Sequence, residues 1–342
     1  MTAHVQLTQP DRISTAESSA WHRVVAASMA HDLPGVPVPG PEEVHARLTE
    51  PALGSRRLTW TATSGDGSVI GVAVLRLFTW PGQDHLAELD LHVDPAHRRA
   101  GNGSLLLSAA VAACRDENRR SLVATTAAEG AGEGFCLRSG FKQALSLDHL
   151  ILPLSGAERA EGAEGPDLEA VHRIAGAAHP GYRLTGWTGT VPDGLAAAFA
   201  TAKSAMNDMP MGDVDFGRVE WDEDRVRTMA GVVADRGDTL LTIAALHEDG
   251  DMAGYTEIVL PQGRPPRAQQ YDTAVVPGHR GHGLGLWLKA AMVCRLLAEH
   301  PAFTEIETDN AEDNVHMLAV NRALGFRSYR RTREFQLDLS AS

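Results

Sequence analysis

Along the 342-residue chain, strand-like apolar runs and longer helix-like runs follow one another in a fixed order, and the order then repeats. An early strand, HVQLTQ at 4–9 or YRLTGW at 182–187, leads into helix-like stretches near 11–29 and 193–207. A second helix follows near 41–49 or 222–236. Residues 58–78 and 240–260 then each divide into two β-rich runs at a tight turn, SGDGS or HEDGD, which is a hairpin signal. Each half continues with a glycine-rich junction, an apolar helix, a strand (SLVATT or FTEIETD), another helix and a closing strand. Between the halves, PLSGAERAEGAEGPDLEA (153–170) is rich in Gly, Ala and Glu, and predicts a linker with a helix from Asp167 to Ala175. The pattern predicts a duplicated mixed α/β chain: one domain over 1–155, a linker over 156–180, and a second domain over 181–342.

The junctions carry the chemistry. Aligned on their glycines they read Val93-Asp94-Pro95-Ala96-His97-Arg98-Arg99-Ala100-Gly101-Asn102-Gly103 and Val275-Val276-Pro277-Gly278-His279-Arg280-Gly281-His282-Gly283-Leu284-Gly285. The shared skeleton, V-x-P-x-H-R-x-x-G-x-G, runs from a strand end to a helix start. A helix begins with backbone N–H groups that lack partners, and its dipole favours an anion there. Glycines let a phosphate approach that backbone, and the arginine adds positive charge. The spacing is neither the dinucleotide G-x-G-x-x-G nor the P-loop pattern.

R-x-x-G-x-G after V-x-P resembles the acyl-CoA diphosphate loop of the GNAT superfamily of N-acyltransferases. The stretch IETDNAEDNVHMLAVNRALGF (306–326) is similar to that family's last strand and helix, whereas the first half has only a worn version, TTAAEGAGEGFCLRSGF (125–141). The paired arrangement is also like that of mycothiol synthases. The resemblance implies two tandem domains, each a splayed, mostly antiparallel sheet flanked by helices, with acyl-CoA in the splay. Residues around Val275 and Val276, the loop Arg280, Gly281, His282, Gly283, Leu284 and Gly285, and Asn314 would hold the cofactor arm and diphosphate. Val93, Arg98, Arg99, Gly101 and Gly103 occupy the matching places in the first half, with Glu129 where the second has Asn314. The family's tyrosine acid is replaced by Asn321, and by Cys136 in the first half. That role is therefore vacant, or filled by water or a side chain such as Tyr329. A thiolate of conjugate pKa about 8.5 can depart without an acid.

An amine acceptor must lose a proton on or before attack. Glu257 and Asp272 lie on the strands expected to flank the acyl group, with Asp90 corresponding to Asp272, and are the candidate bases. The segment NDMPMGDVDFGRVEWDED (207–224) holds seven acidic residues against Arg218 alone. Asp222, Glu223 and Asp224 suit a helix start. Asp208, Asp213 and Asp215, interleaved with Met209, Met211, Phe216 and Trp221, outline a wall for a cationic, partly apolar acceptor.

Composition narrows the partners. Net charge is −13, with −3 in residues 1–155 and −7 in 181–342, which disfavours nucleic acid and anionic membranes. Cys114, Cys136 and Cys294 are isolated and form neither a disulfide framework nor a metal motif, so the reading is a cytoplasmic chain without metal. The expectation is an acetyl-CoA-dependent N-acetyltransferase active in its second half, with direct attack by a small amine. The first half either binds CoA without turnover or acts as scaffold and acceptor wall. Two rivals remain: a non-catalytic acyl-CoA sensor, and a transferase that uses aminoacyl-tRNA. A monomer and a homodimer are equally compatible with the sequence.

Overall fold

The computed structural model describes residues 4–8, 13–34, 36–50, 54–154, 167–262 and 267–340. In chain order the first elements are β1 (His4–Thr8), α1 (Thr15–Asp32), α2 (Pro41–Thr49), β2 (Ser55–Thr63), β3 (Val69–Phe78) and β4 (Leu86–Val93). They are followed by α3 (Asn102–Asp116), β5 (Ser121–Ala127), α4 (Ala131–Arg138) and β6 (Lys142–Pro153). Next come α5 (Leu168–Ala175), β7 (Tyr182–Thr188), α6 (Asp193–Lys203) and α7 (Glu223–Asp235). The last group is β8 (Thr239–His247), β9 (Met252–Leu260), β10 (Arg267–Val275), α8 (Leu284–Glu299), β11 (Glu305–Ala311), α9 (Val315–Ala323) and β12 (Arg327–Asp338).

Local sequence fixes many of the helix starts. Ser14 and Glu17 form a reciprocal capping box at α1, and α2 begins on Pro41 with Glu42 and Glu43 in its first turn. Asp167 and Asp222 cap α5 and α7 by accepting the backbone N–H groups of Ala170 and Arg225. Asp222 is therefore a cap, as its position before two acidic residues predicts. The helix expected from Asp167 to Ala175 is present, whereas 155–166 of the expected linker lie outside the described residues.

The chain forms two compact units that do not follow a single cut in the linker. Unit one comprises Met1–Ser146, Met211–Arg218 and Thr332–Ser342; unit two comprises Leu147–Pro210 and Val219–Arg331. In unit one, β1, β2, β3 and β4 pair antiparallel in succession, β4 pairs parallel with β5, and β5 is closed by residues 332–338 of β12. In unit two, β7, β8, β9 and β10 pair antiparallel, β10 pairs parallel with β11, and β11 is closed by residues 147–153 of β6. Each unit thus takes its closing strand from the other half of the sequence, a long-range pairing that local periodicity cannot reveal.

Unit one is held by Leu75, Leu77, Leu86, Leu106 and Leu122, all fully buried, each stabilising by about 1.5–3 kcal/mol. In unit two, β9 is buried along its whole length because helices cover both faces. Ile258 and Leu260 join the core under α8, and Tyr255 joins the one under α6. No helix among the described residues is long and apolar enough to cross a membrane.

Candidate functional site

The site of unit two begins where two strands part. The β10–β11 pairing runs only from Arg267↔Glu305 to Gln269↔Glu307, while β11 continues alongside β6. The register of β10 against β9 also shifts between Gln270 and Thr273. The resulting cleft has a volume of about 890 Å³. Residues 270–275 form one wall and Thr308, Asp309 and Asn310 the other. The glycine loop and α8 line one end, and the segment from Ala205 to Pro210 covers part of the opening.

The loop is built to leave backbone free. Gly283, in the left-handed region at φ +74°, starts α8 without a side-chain cap, and Gly281 is also left-handed at φ +85°. The first N–H to find a helical acceptor is that of Trp287, bonded to Gly283 O at 3.1 Å. The N–H groups of Leu284, Gly285 and Leu286 thus lie in the unpaired first turn. A Cβ built on Gly285 would meet only Val275 Cγ2, at 3.8 Å, so that face is open. Arg280 donates from Nε to Val275 O at 3.1 Å and ion-pairs with Asp208 at 2.8 Å. This set suits a diphosphate: several orphan amides, one guanidinium, and no side chain between them.

Within the stretch expected to hold the cofactor arm, the Val276 amide is not free: it donates to Ala253 O at 2.9 Å. Strand alternation turns the preceding amide, that of Val275, to the open side of β10. Its carbonyl points the same way, to Arg280. Asn314 lines the cleft, but its side-chain oxygen caps α9 at Met317 N–H, so only its NH₂ group remains to meet a ligand. His282, expected in the loop's cofactor contacts, instead lies beside the Tyr182 ring, with centroids 5.6 Å apart.

The two candidate bases share a partner that the sequence reading missed. Lys203, at the end of α6, reaches Glu257 Oε2 at 2.5 Å and Asp272 Oδ2 at 2.6 Å. Its ammonium also lies 4.8 Å from the Trp221 ring centroid, 5.1 Å from Tyr255 and 5.7 Å from Phe199. Burial works against its charge, but Asp272 and Glu257 more than offset this and hold the Lys203 pKa well above normal. Burial pushes the Glu257 carboxyl up, against the pull of Lys203 and with the repulsion of Asp272. The side chains differ in access: Glu257 is 6% exposed, whereas Asp272 is 32% exposed and lines the cleft. Of these two carboxylates, only Asp272 is open to the cleft. Lys203 could have been suspected as a lone lysine in the Ala-rich run AAAFATAKS, four residues after Phe199.

Other expectations need correcting. Asn321 is fully buried and ties α9 to β11 by donating to Asn310 Oδ1 at 2.5 Å, so it is a structural link rather than a cleft group. Tyr329 donates to Glu307 and accepts from Arg330 Nε at 2.9 Å, away from the cleft lining. Asp213 and Asp215 belong to unit one: Asp213 N–H bonds Ala144 O, and Asp215 accepts from Ser121 Oγ at 3.0 Å. Neither is among the residues lining the cleft of unit two. Trp221 does bind a cation, but the chain's own Lys203 fills that place. Of the proposed acceptor wall, Asp208 and Met209 line the cleft, where Asp272, Asp309 and Asp313, outside 207–224, add carboxylates.

Unit one has the same loop in a closed state. Gly101 is left-handed at φ +87° and starts α3; Arg99 is also left-handed, at φ +64°. Arg98 is held by a two-bond pair with Asp32, both at 2.7 Å, and by Ser28. Val93 is buried in the core and accepts from Arg98 Nε. A Cβ on Gly103 would already lie 3.3 Å from Phe135, whose counterpart, Val320, lines the cleft in unit two. Asp90 pairs with His92 at 2.8 Å.

The sequence profile of the acetyltransferase (GNAT) family matches residues 27–141 and 208–326. A tandem GNAT protein from the clavulanic acid biosynthesis pathway, determined without acetyl-CoA, is 26% identical with a TM-score of 0.76, and 100% of each chain is covered. A GCN5-related N-acetyltransferase from Sphaerobacter thermophilus is 16% identical, with a TM-score of 0.68 over 98% of this chain and 96% of that one. A glucosamine N-acetyltransferase region of a fungal multi-domain GH3 β-N-acetylglucosaminidase is 13% identical, with a TM-score of 0.66 over 98% and 38% of the two chains. At those identities the last two show the fold alone. Comparison with curated proteins gave no match.

Proposed function

The chain belongs to the GNAT acetyltransferase family, and on that premise we propose that its second unit transfers an acyl group from acyl-CoA, acetyl in the simplest case, to the amine of a small cationic acceptor. The observation that carries this reading is the joining of an open diphosphate loop and a cleft-facing carboxylate, Asp272, in one cavity. Diphosphate is held by the first-turn amides of α8 and by Arg280, and the acyl arm enters between β10 and β11. The Val275 amide faces the thioester oxygen, where charge develops in the transition state. The amine attacks directly, and Asp272 accepts its proton as the new C–N bond makes the nitrogen acidic. Lys203 holds that carboxylate in place.

Preference for a cation is supported by charge balance. Four carboxylates line the cleft (Asp208, Asp272, Asp309 and Asp313) against Arg280 and Lys289. Lys203, behind the wall, balances only one of Glu257 and Asp272. Unit one serves as a scaffold in this reading, because Phe135 and the Arg98–Asp32 pair take the places a cofactor would need. Native mass spectrometry with acetyl-CoA, with a thiol-release assay over polyamines and aminosugars, tests the proposal. One acetyl-CoA per chain, lost in Gly285→Trp, and CoA release that depends on an added amine are expected. Absence of binding would refute the cofactor assignment, and binding without amine-dependent release would refute the transferase reading in favour of an acyl-CoA sensor.

A further inference from the structure

The chain contains only three lysines, Lys142, Lys203 and Lys289, among 31 basic residues. Arginine, which does not lose its proton, serves nearly every other cationic position; lysine is the residue that can. Lys142 is exposed, and Lys203 is locked between two carboxylates. Lys289 is different. It lies one and a half turns into α8 and is 2% exposed, yet it lines the acyl-CoA cleft together with Thr308 and Asn310. Among the described residues it has no hydrogen-bond or ion-pair partner; its neighbour of note is the Phe326 ring, 5.0 Å from Nζ. The charged and titratable groups of the surrounding elements are engaged elsewhere or lie apart on the rim: Asp272 on Lys203, Arg280 on Asp208, His172 of α5 on Cys294, and Asp309, Asp313 and His316 along the opening. In unit one, counting from the aligned glycines, the same position is the buried Leu107. A lysine therefore stands only where the cleft is open.

We propose that Lys289 is the proton donor to the departing CoA sulfur, the role that Asn321 cannot fill. This inference rests on the acyl-transfer reading above. When the tetrahedral adduct collapses, the C–S bond breaks and its electron pair goes to sulfur. Sulfur takes a proton from the Lys289 ammonium, CoA leaves as the thiol, and neutral Lys289 regains a proton from solvent before the next turnover. The amine proton leaves separately through Asp272. Burial supports this role by pushing the Lys289 pKa down to about 7, below that of the thiol, which is about 8.5. The transfer therefore runs downhill, near neutral pH where an acid catalyst is most useful.

The test uses the full chain with ¹³C-lysine, whose three side chains give few signals, together with Lys289→Met. The Lys289 signal should titrate with a midpoint near 7 and move when CoA binds. In steady state, kcat of the wild type should fall as pH rises through that midpoint, because the acid form is lost. Lys289→Met should lower kcat on the order of 10²-fold, with the KM for acetyl-CoA changed less than about threefold, and should lose that alkaline limb. Its deficit should disappear with an acetyl thioester of an acidic aromatic thiol, which leaves unaided. A Lys289 midpoint near 10, a signal unmoved by bound CoA, or a variant that keeps the wild-type pH profile would overturn the inference. An acetyl group found covalently on Lys289 would also overturn it, because Lys289 would then attack rather than protonate. A wild type that binds CoA but transfers to no amine would refute only the transferase reading, and the titration would still decide the properties of Lys289.

Discussion

Replacing Lys289 by methionine should stabilise the protein, and the gain should depend on pH. Burial lowers the lysine from its ordinary value of 10.5 to about 7. At 1.36 kcal/mol per unit, keeping that ammonium in the folded chain costs about 5 kcal/mol relative to water. The sign follows from proton counts. Between pH 7 and 10.5 the unfolded chain binds a proton that the folded chain has released, so stability rises with pH across that window. At or below pH 7 both states are charged and the full cost is present; above about 10.5 it is gone. Methionine keeps much of the side-chain volume and carries no charge, so Lys289→Met removes this slope. Urea unfolding of both proteins at pH 7.0, 8.5 and 10.0 measures it, with unchanged m values guarding the comparison. The advantage of the variant should be largest at pH 7.0 and shrink by about 1.4 kcal/mol for each unit of rising pH. A difference that stays constant with pH, or a variant less stable throughout, would show that Lys289 has a partner in the folded chain and refute the argument.

Three further outcomes are expected. Lys203→Met leaves Glu257 and Asp272 facing each other in a buried site and should cost about 3–5 kcal/mol by chemical denaturation, with much of it restored by adding Glu257→Gln. Asp272→Asn should reduce kcat at least on the order of 10²-fold while leaving the calorimetric Kd for acetyl-CoA unchanged; Glu257→Gln, behind the wall, should cost less. Asp208→Ala releases Arg280 from a half-exposed pair and should tighten acetyl-CoA binding by no more than about fivefold, an effect that fades with added salt.

Much of the fold was legible because it rests on local signals. The hairpin turns at 64–68 and 247–251, the cap residues Asp167 and Asp222 and the paired loops all state their structure within a few positions. The closing strands were not legible in the same way. Residues 332–338 and 147–153 have suitable strand patterns for either sheet, and only long-range pairing assigns each to its partner. The site divides along the same line. Gly283, Gly285 and Arg280 are readable from spacing, since a backbone loop is a local object. Asp215 was misplaced because an acidic run says nothing about which surface it meets. Lys203 and Lys289 are not legible in the sequence because each owes its character to groups distant along the chain: Glu257 and Asp272 for one, and burial beside the Phe326 ring for the other.

The two loops separate what the motif does for folding from what it does for a ligand. Gly101 and Gly283 both adopt left-handed backbone at the helix start, so the strand-to-helix turn needs glycine whether or not an anion binds there. What differs is the competition for the open amides and the arginine. In unit one an anion would have to displace Asp32 from a partly buried two-bond pair with Arg98 and move Phe135 from the face of Gly103. In unit two it would displace only a single half-exposed contact from Asp208, and Gly285 faces open space. A two-bond internal ion pair and an aromatic ring packed on the glycine both stabilise a fold, and both oppose an anion there. Conversely, the open cleft of unit two keeps a buried lysine without a counter-charge among the described residues and two carboxylates around one ammonium, arrangements that a scaffold alone gives no reason to retain.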